Sequence, residues 1–289
     1  MIPPAFEYLR PKTITEAIAF LQQYGDDAKI LSGGQSLIPM MKFRLARPAY
    51  LVDINRISGL SYIKEEGGYL KIGGLTRESD LESSDLIRVR YPIILDTAQV
   101  IADPQVRNMA TVAGNLAHGD PANDHPATML ALGAQVVATG PKGERVIPIE
   151  EFFVSLFTTA LQPDEIVTEI RIPTPPARSG GAYLKLERKV GDFATAAVAA
   201  QVTLDDKGIC QKVGIGLTNV GPTPLKAGKA ENFLRGKNAD QSNIEQAAAL
   251  AAADAQPSSD LRGPAEYKKA LVEELTRRAL MRAVERARK

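Results

Sequence analysis

Apolar and polar positions alternate at two periods along the chain, and the two periods mark out its elements. Within residues 11–25, Ile14, Ala17, Ile18 and Leu21 fall on one helical face behind a Thr13/Glu16 capping box, and Gly25 stands where the helix should stop. Short apolar runs at 28–31 and 51–54 predict strands, and 62–64 with 69–74 predicts a hairpin around Glu66, Gly67 and Gly68. Thr76 is placed to cap a helix over 78–81, and 92–102 reads as helix. An irregular stretch is expected from Asp103 to about Pro126, then a short helix at 128–132 and a strand at 135–138 leading to a turn at 141–143. Alternation at 166–172 predicts one more strand. The Pro-, Gly- and Ser-rich run 173–181 reads as a linker. Beyond it lie strands near 182–188, 196–204 and 211–218 and helices near 241–254 and 264–287. The last helix is amphipathic, with Leu271, Leu275 and Ala279 on one side and a basic tip at Arg286, Arg288 and Lys289. Strands and helices mix without regular βαβ alternation, which favours an α+β fold.

The length, 289 residues, suits about two domains. Lys+Arg at 35 against Asp+Glu at 34 leaves a net charge of +1, no field for holding nucleic acid or an anionic membrane. A single cysteine, Cys210, rules out an internal disulfide, a four-cysteine zinc site and an iron–sulfur cluster held by this chain alone. With no signal-like N-terminus and no apolar run long enough to span a bilayer, a cytoplasmic location is expected.

The common nucleotide and nucleophile motifs are absent: there is no P-loop and no G-x-S-x-G elbow. Gly214 and Gly216 sit inside a predicted strand and lack the third glycine of a dinucleotide fingerprint, so close strand packing explains them. His118, Asp120, Asp124 and His125 could hold a metal on paper. Their spacing matches no standard zinc signature, and a loop shaped by Asx turns and a proline accounts for the same residues. No metal site and no catalytic side chain is assigned.

Two loops share a design that carries chemistry. Leu31, Ser32, Gly33, Gly34, Gln35, Ser36 and Leu37 form the first; Thr111, Val112, Ala113, Gly114 and Asn115 form the second. Paired small residues let a backbone approach a ligand and turn successive N–H groups toward an anion. Each loop alone reads more readily as a simple turn than as a phosphate site, and a turn is how Gly67/Gly68, Gly73/Gly74 and Gly180/Gly181 are taken.

With their surroundings, these loops resemble the flavoprotein (medium) subunit of the molybdenum hydroxylases, the family of carbon monoxide dehydrogenase medium chains and the xanthine dehydrogenase flavin domain. The matching segments are 32–44, 101–107, 111–117, 120–124, 181–192 and 214–222, in order along nearly the whole chain. The resemblance implies an FAD-binding domain of the vanillyl-alcohol-oxidase type over 1–176, in lobes of about 1–56 and 57–176. A small α+β domain with a three-stranded sheet and helices would follow over 177–289. It implies that both loops clamp the FAD pyrophosphate, although Ala113 stands where glycine is usual and is tolerable only at negative φ. Ile101 matches an apolar contact to the cofactor, Asp124 an acid toward its adenosine end, and Val167 a backbone contact. Lys185 matches a lysine beside the flavin ring, with Asp192 and Phe193 near it. Partner chains would carry two [2Fe–2S] clusters on a small subunit and molybdopterin on a large one, assembled as a dimer of heterotrimers, and FAD would deliver electrons to an external acceptor. Peripheral association with the inner face of a membrane stays open. So do two other readings: a free-standing FAD oxidase acting on a small substrate, and a non-redox nucleotide-binding protein.

Overall fold

The computed structural model describes residues 2–289. It begins with β1 (Glu7–Leu9), α1 (Ile14–Tyr24), β2 (Ala28–Leu31), α2 (Leu37–Lys42) and β3 (Tyr50–Asp53). The three strands form a parallel sheet in the order β1-β3-β2. Parallel strands need a crossover: α1 carries the chain from β1 to β2, and the segment through α2 carries it from β2 to its neighbour β3. Thr13 Oγ1 accepts from the Glu16 amide at 3.1 Å, while the Glu16 carboxylate accepts from the Lys12 amide at 2.7 Å, one residue before the cap. Ala17, Ile18 and Leu21 then pack on Ala28, Val52 and Ile54.

The next stretch holds β4 (Ile63–Glu66), β5 (Tyr69–Gly73), α3 (Glu78–Ser83), α4 (Asp85–Arg90), α5 (Pro92–Gln99), α6 (Pro104–Arg107), α7 (Val112–Ala117) and α8 (His125–Leu132). After these come β6 (Gln135–Gly140), β7 (Gly143–Pro148), α9 (Ile149–Phe152), β8 (Phe153–Ser155), β9 (Thr158–Thr159) and β10 (Ile166–Pro173). A five-stranded antiparallel sheet runs β4-β5-β10-β6-β7. Because β10 lies at its centre, its polar face is covered too. Thr168 and Glu169 are both buried, Thr168 sharing a 2.7 Å bond with Thr139 and Glu169 accepting from Tyr62 Oη at 2.5 Å. The expected alternation is therefore in chemistry and not in exposure.

Two expectations fail in this region. Thr76 does not cap α3; its hydroxyl bonds the backbone of Tyr62 (3.0 and 3.2 Å), and Arg77 takes the N-cap position. The stretch after Asp103 is irregular mainly over 118–124. Asp103 caps α6 through the Val106 amide and Thr111 caps α7 through the Gly114 amide, two turns too short for periodicity to reveal. Gly73/Gly74 opens a turn, closed by the Thr76 amide on the Gly73 carbonyl at 3.0 Å, and glycine is also required there by close approach, since added Cβ atoms would lie 2.4 Å from the carbonyls of Leu60 and Val167.

The chain continues with β11 (Ser179–Glu187), β12 (Ala194–Leu204), β13 (Cys210–Thr218), β14 (Leu225–Lys226), α10 (Gly228–Leu234), α11 (Gln241–Asp254) and α12 (Ala265–Ala287). The sheet β11-β12-β13-β14 has four strands, not three, because two residues after the third return to pair with it. Strand β11 starts at Ser179, so the linker is shorter than expected and Gly180/Gly181 is strand; a Cβ on Gly180 would lie 2.2 Å from the Ala283 carbonyl of α12. The inward face of α12 is Val272, Thr276, Ala279, Leu280 and Ala283, with Leu271 and Leu275 only flanking it. Its basic tip is partly internal: Arg286 makes a two-point bond to Asp96 of α5 at 2.6 and 3.0 Å.

Both faces of this sheet are covered, by α10–α12 on one side and by α5 and α8 on the other, which joins it to the core beneath the five-stranded sheet. The junction depends on two glycines. Cβ atoms on Gly214 and Gly216 would lie 1.9 and 2.0 Å from the carbonyls of Ala131 and Ala127 in α8, so strand packing is indeed what they serve. Gly216→Val should lift α8 from β13 and destabilise the chain by about 1–3 kcal/mol, read as a lower urea midpoint. An unchanged midpoint would contradict this packing.

Candidate functional site

A cavity of about 570 Å³ opens where the parallel sheet, the five-stranded sheet and the loop after β11 meet. Ligand sites of this kind typically span about 300–1,000 Å³ and favour such junctions. Its lining includes Ser32, Gly33, Gly34, Gln35, Ser36 and Leu37 of the first loop, and Thr111, Ala113, Gly114 and Asn115 of the second. Ile101, Asp124, Val167, Lys185, Asp192 and Phe193 complete the predicted set there. Leu31 and Val112 do not reach it. Leu31 ends β2, and Val112 is fully buried in the core below α7, where the helix periodicity turns it inward.

The first loop leaves β2, turns at Gly34 (φ +74°) and enters α2. Among the described residues, the N–H groups of Gly33, Gly34, Gln35, Ser36 and Leu37 find no acceptor. Successive unmatched donors beside a cavity form an anion nest. Opposite them, Ala113 lies inside α7 with negative φ, so its methyl group is compatible with the close approach. Asn115 Oδ1 is buried with no partner of its own. Ser32 and Thr111 link the two loops through their hydroxyls at 2.9 Å.

At another part of the wall, Asp124 stands just before α8, and its carboxylate accepts from Tyr183 Oη at 2.6 Å and Lys185 Nζ at 3.1 Å. Lys185 also donates to the Val100 carbonyl at 3.0 Å and lies 3.3 Å from Glu187. Burial raises the Asp124 carboxyl above the usual carboxylate range, against the lowering pull of Lys185 and Tyr183. Tyr183 is pushed well upward by burial and by Asp124. Lys185, only 2% exposed in its side chain, is therefore a buried cation and not a solvated strand lysine. Asp124 and Lys185, which the resemblance matches to different parts of FAD, touch one another on the cavity wall.

Asp192 and Phe193 form the rim. Burial disfavours the Asp192 carboxylate, but hydrogen bonds from Arg262 (3.2 Å) and the Phe193 amide (2.9 Å) outweigh it and hold the carboxyl low. Val167 sits at a bulge in the β10–β6 pairing, where the strand bends along the cavity. Ile101 is buried beside Ala102, whose φ is +45°.

The four residues weighed as metal ligands turn different ways. His118 lines the cavity and lies 5.2 Å from the Phe157 ring, its pKa lowered by burial. Asp120 makes an Asx turn to the Ala122 amide (2.8 Å), Asp124 faces Lys185, and His125 is buried against Glu78 at 2.7 Å. Sequence reasoning missed other lining residues: Met40, Leu161, Gln162 and Glu165. Met40 lies on α2 just after the first loop, whereas Leu161, Gln162 and Glu165 carry no local signal, because only the approach of the 161–166 segment to the parallel sheet brings them to the cavity.

The site fits FAD by its own chemistry. Unmatched amides and the unpaired Asn115 oxygen suit a pyrophosphate and its sugar, apolar walls suit flat rings, and a buried lysine suits a ring that gains negative charge. No helix among the described residues is long and apolar enough to cross a membrane.

Comparison with known proteins agrees. The family described as the FAD binding domain in molybdopterin dehydrogenase matches residues 4–175, and the CO dehydrogenase flavoprotein C-terminal domain matches residues 181–283. The carbon monoxide dehydrogenase medium chain of Afipia carboxidovorans is 48% identical over 288 residues, covering 100% of both chains. The solved carbon monoxide dehydrogenase from Hydrogenophaga pseudoflava that lacks the Mo-pyranopterin moiety superposes with a TM-score of 0.96 at 48% identity, over 99% of both chains. Quinoline 2-oxidoreductase from Pseudomonas putida 86 gives 0.93 at 31% identity over 100% of both. The chain is thus an oxidoreductase flavoprotein that belongs to the family of medium, FAD-binding subunits of molybdopterin dehydrogenases.

Proposed function

We propose that the chain takes electrons from the [2Fe–2S] clusters of a partner subunit and passes them, through FAD, to an external acceptor. The observation that carries this reading is the nest of unmatched amides at 33–37 facing Asn115 across one cavity, with a buried lysine on the same wall. Bound FAD would supply a store that accepts electrons one at a time and holds a pair.

The protein's part is positioning and charge. Backbone N–H groups of the first loop, with Thr111, Ala113, Gly114 and Asn115 of the second, would hold the pyrophosphate. Lys185 would stabilise negative charge on the ring, an effect strengthened by burial. Asp124 and Tyr183 keep that cation in place, and Phe193 would shield the rim. No side chain is required as nucleophile or general base.

The redox partners would be an iron–sulfur small subunit and a molybdopterin large subunit, in a dimer of heterotrimers in the cytoplasm. The description of a full-length relative as a medium chain supports such an assembly. We take residues 1–176 and 177–289 as its two domains. The test is anaerobic addition of the complex's substrate to two samples. The isolated chain should stay yellow, whereas the assembled complex should bleach. Turnover by the isolated chain would sink the subunit reading, and a colourless chain that cannot be loaded with FAD would sink the flavin reading.

A further inference from the structure

The two loops belong to different sheets, and something outside the cavity must hold them in register. The first follows β2 of the parallel sheet; the second precedes α7, which packs on the five-stranded sheet. Inside the cavity their side chains meet at the Ser32–Thr111 hydroxyl pair.

Behind the cavity lies a second, stronger connection. The Arg77 guanidinium donates to the Met109 carbonyl at the start of the second loop, and to Asn55 Oδ1 at 2.6 Å. Asn55, just after β3, in turn donates to the Ser32 carbonyl at 2.8 Å. Asn55 is itself fixed by Asp53, which accepts from both its amide (2.9 Å) and its side chain (2.6 Å). The backbone around Arg77 grips the second loop as well: Val112 donates to the Thr76 carbonyl at 3.2 Å, and Glu78 donates to the Ala110 carbonyl at 3.1 Å. Arg77 does not line the cavity.

We infer that Arg77 and Asn55 form a brace that sets the spacing of the two pyrophosphate loops and so determines FAD affinity without touching FAD. The inference rests on the flavin reading above. A planar guanidinium suits the task because its forked N–H groups reach two acceptors on different lobes at once, which a lysine ammonium matches only in part. Loss of the brace leaves the loops folded on their own sheets but free to separate, so the ligand must then supply the ordering.

The experiment is an FAD titration of the deflavinated full chain, followed by flavin fluorescence, with the melting temperature of each deflavinated variant measured alongside. Arg77→Met should weaken FAD binding by about tenfold to a hundredfold, the scale of charge-assisted hydrogen bonds. Asn55→Ala should do the same, Arg77→Lys should restore part of the loss, and Arg77→Met/Asn55→Ala should be little worse than either single change. Wild-type affinity in folded Arg77→Met, or additive losses in the double variant, would overturn the inference. If Arg77→Met fails to fold, the comparison of Asn55→Ala with Arg77→Lys decides it, since normal affinity in both also overturns it. A wild-type chain that binds no FAD would instead be a failure of the flavin reading.

Discussion

Gly33→Ala is expected to yield a folded chain that binds FAD about tenfold to a hundredfold more weakly than the native one. A Cβ at this position would lie 2.5 Å from the Met109 carbonyl oxygen and 2.8 Å from Ala110 Cα. Both are backbone atoms, so neither can swing aside, and the methyl group must push the two loops apart. The overpacking cost of about 1–3 kcal/mol falls on the contact that shapes the pyrophosphate site, not on either hydrophobic core. Gly34 is the useful contrast. A methyl group there meets Ile38 Cδ1 at 2.8 Å, the movable end of a side chain, and the main cost is the left-handed φ of +74°. Gly34→Ala should therefore be milder, while Gly34→Asp adds a carboxylate against the pyrophosphate and should abolish retention. A fluorescence titration showing native affinity in Gly33→Ala would mean that the loops do not need this spacing.

Lys185→Ala should have the larger effect on stability. It removes the cation from a buried cluster in which Asp124 and Glu187 lie within 3.1 and 3.3 Å of the ammonium. Breaking such a pair typically costs about 3–5 kcal/mol, because the remaining charge stays buried. The loss should depend on pH in a definite direction. Burial already raises Asp124 in the folded state, and without Lys185 it rises further. A carboxyl raised by folding holds its proton better in the native than in the unfolded chain. Its penalty is therefore absent below the unfolded pKa and grows as pH rises through the folded one. The gap between Lys185→Ala and the native chain should be widest at neutral pH and narrow in mild acid, as measured by urea denaturation. In the flavin-loaded protein the same change should lower the midpoint potential by tens of millivolts. An unchanged potential would move the ring to the other end of the cavity.

What the sequence revealed follows from the range of the interactions involved. The Thr13 cap of α1 and the turns at Gly67/Gly68 and Gly34 are written in a few consecutive residues, and the structure shows each of them. The departures arise where distant segments meet. Thr76 has the right chemistry to cap α3, but Tyr62, brought alongside by the β4–β5 hairpin, takes its hydroxyl. The contact of Asp124 with Lys185, 61 residues away, has no local signal, because only β11 lays one against the other. Arg77 had no signal at all, because its partners at positions 55 and 109 are assembled only by the fold. Gly180 and Gly181, which looked like a turn, are strand, governed in the same way by neighbouring segments.

The central claim is that one cavity, closed by both glycine loops and by Lys185, holds FAD. The most direct measurement is an experimental structure of the flavin-loaded chain. The predicted result is a pyrophosphate bonded to the 33–37 amides, a sugar hydroxyl donating to Asn115 Oδ1 of the second loop, and one end of the cofactor beside Asp124 and Lys185. A flavin seated elsewhere, or phosphates away from both loops, would contradict it.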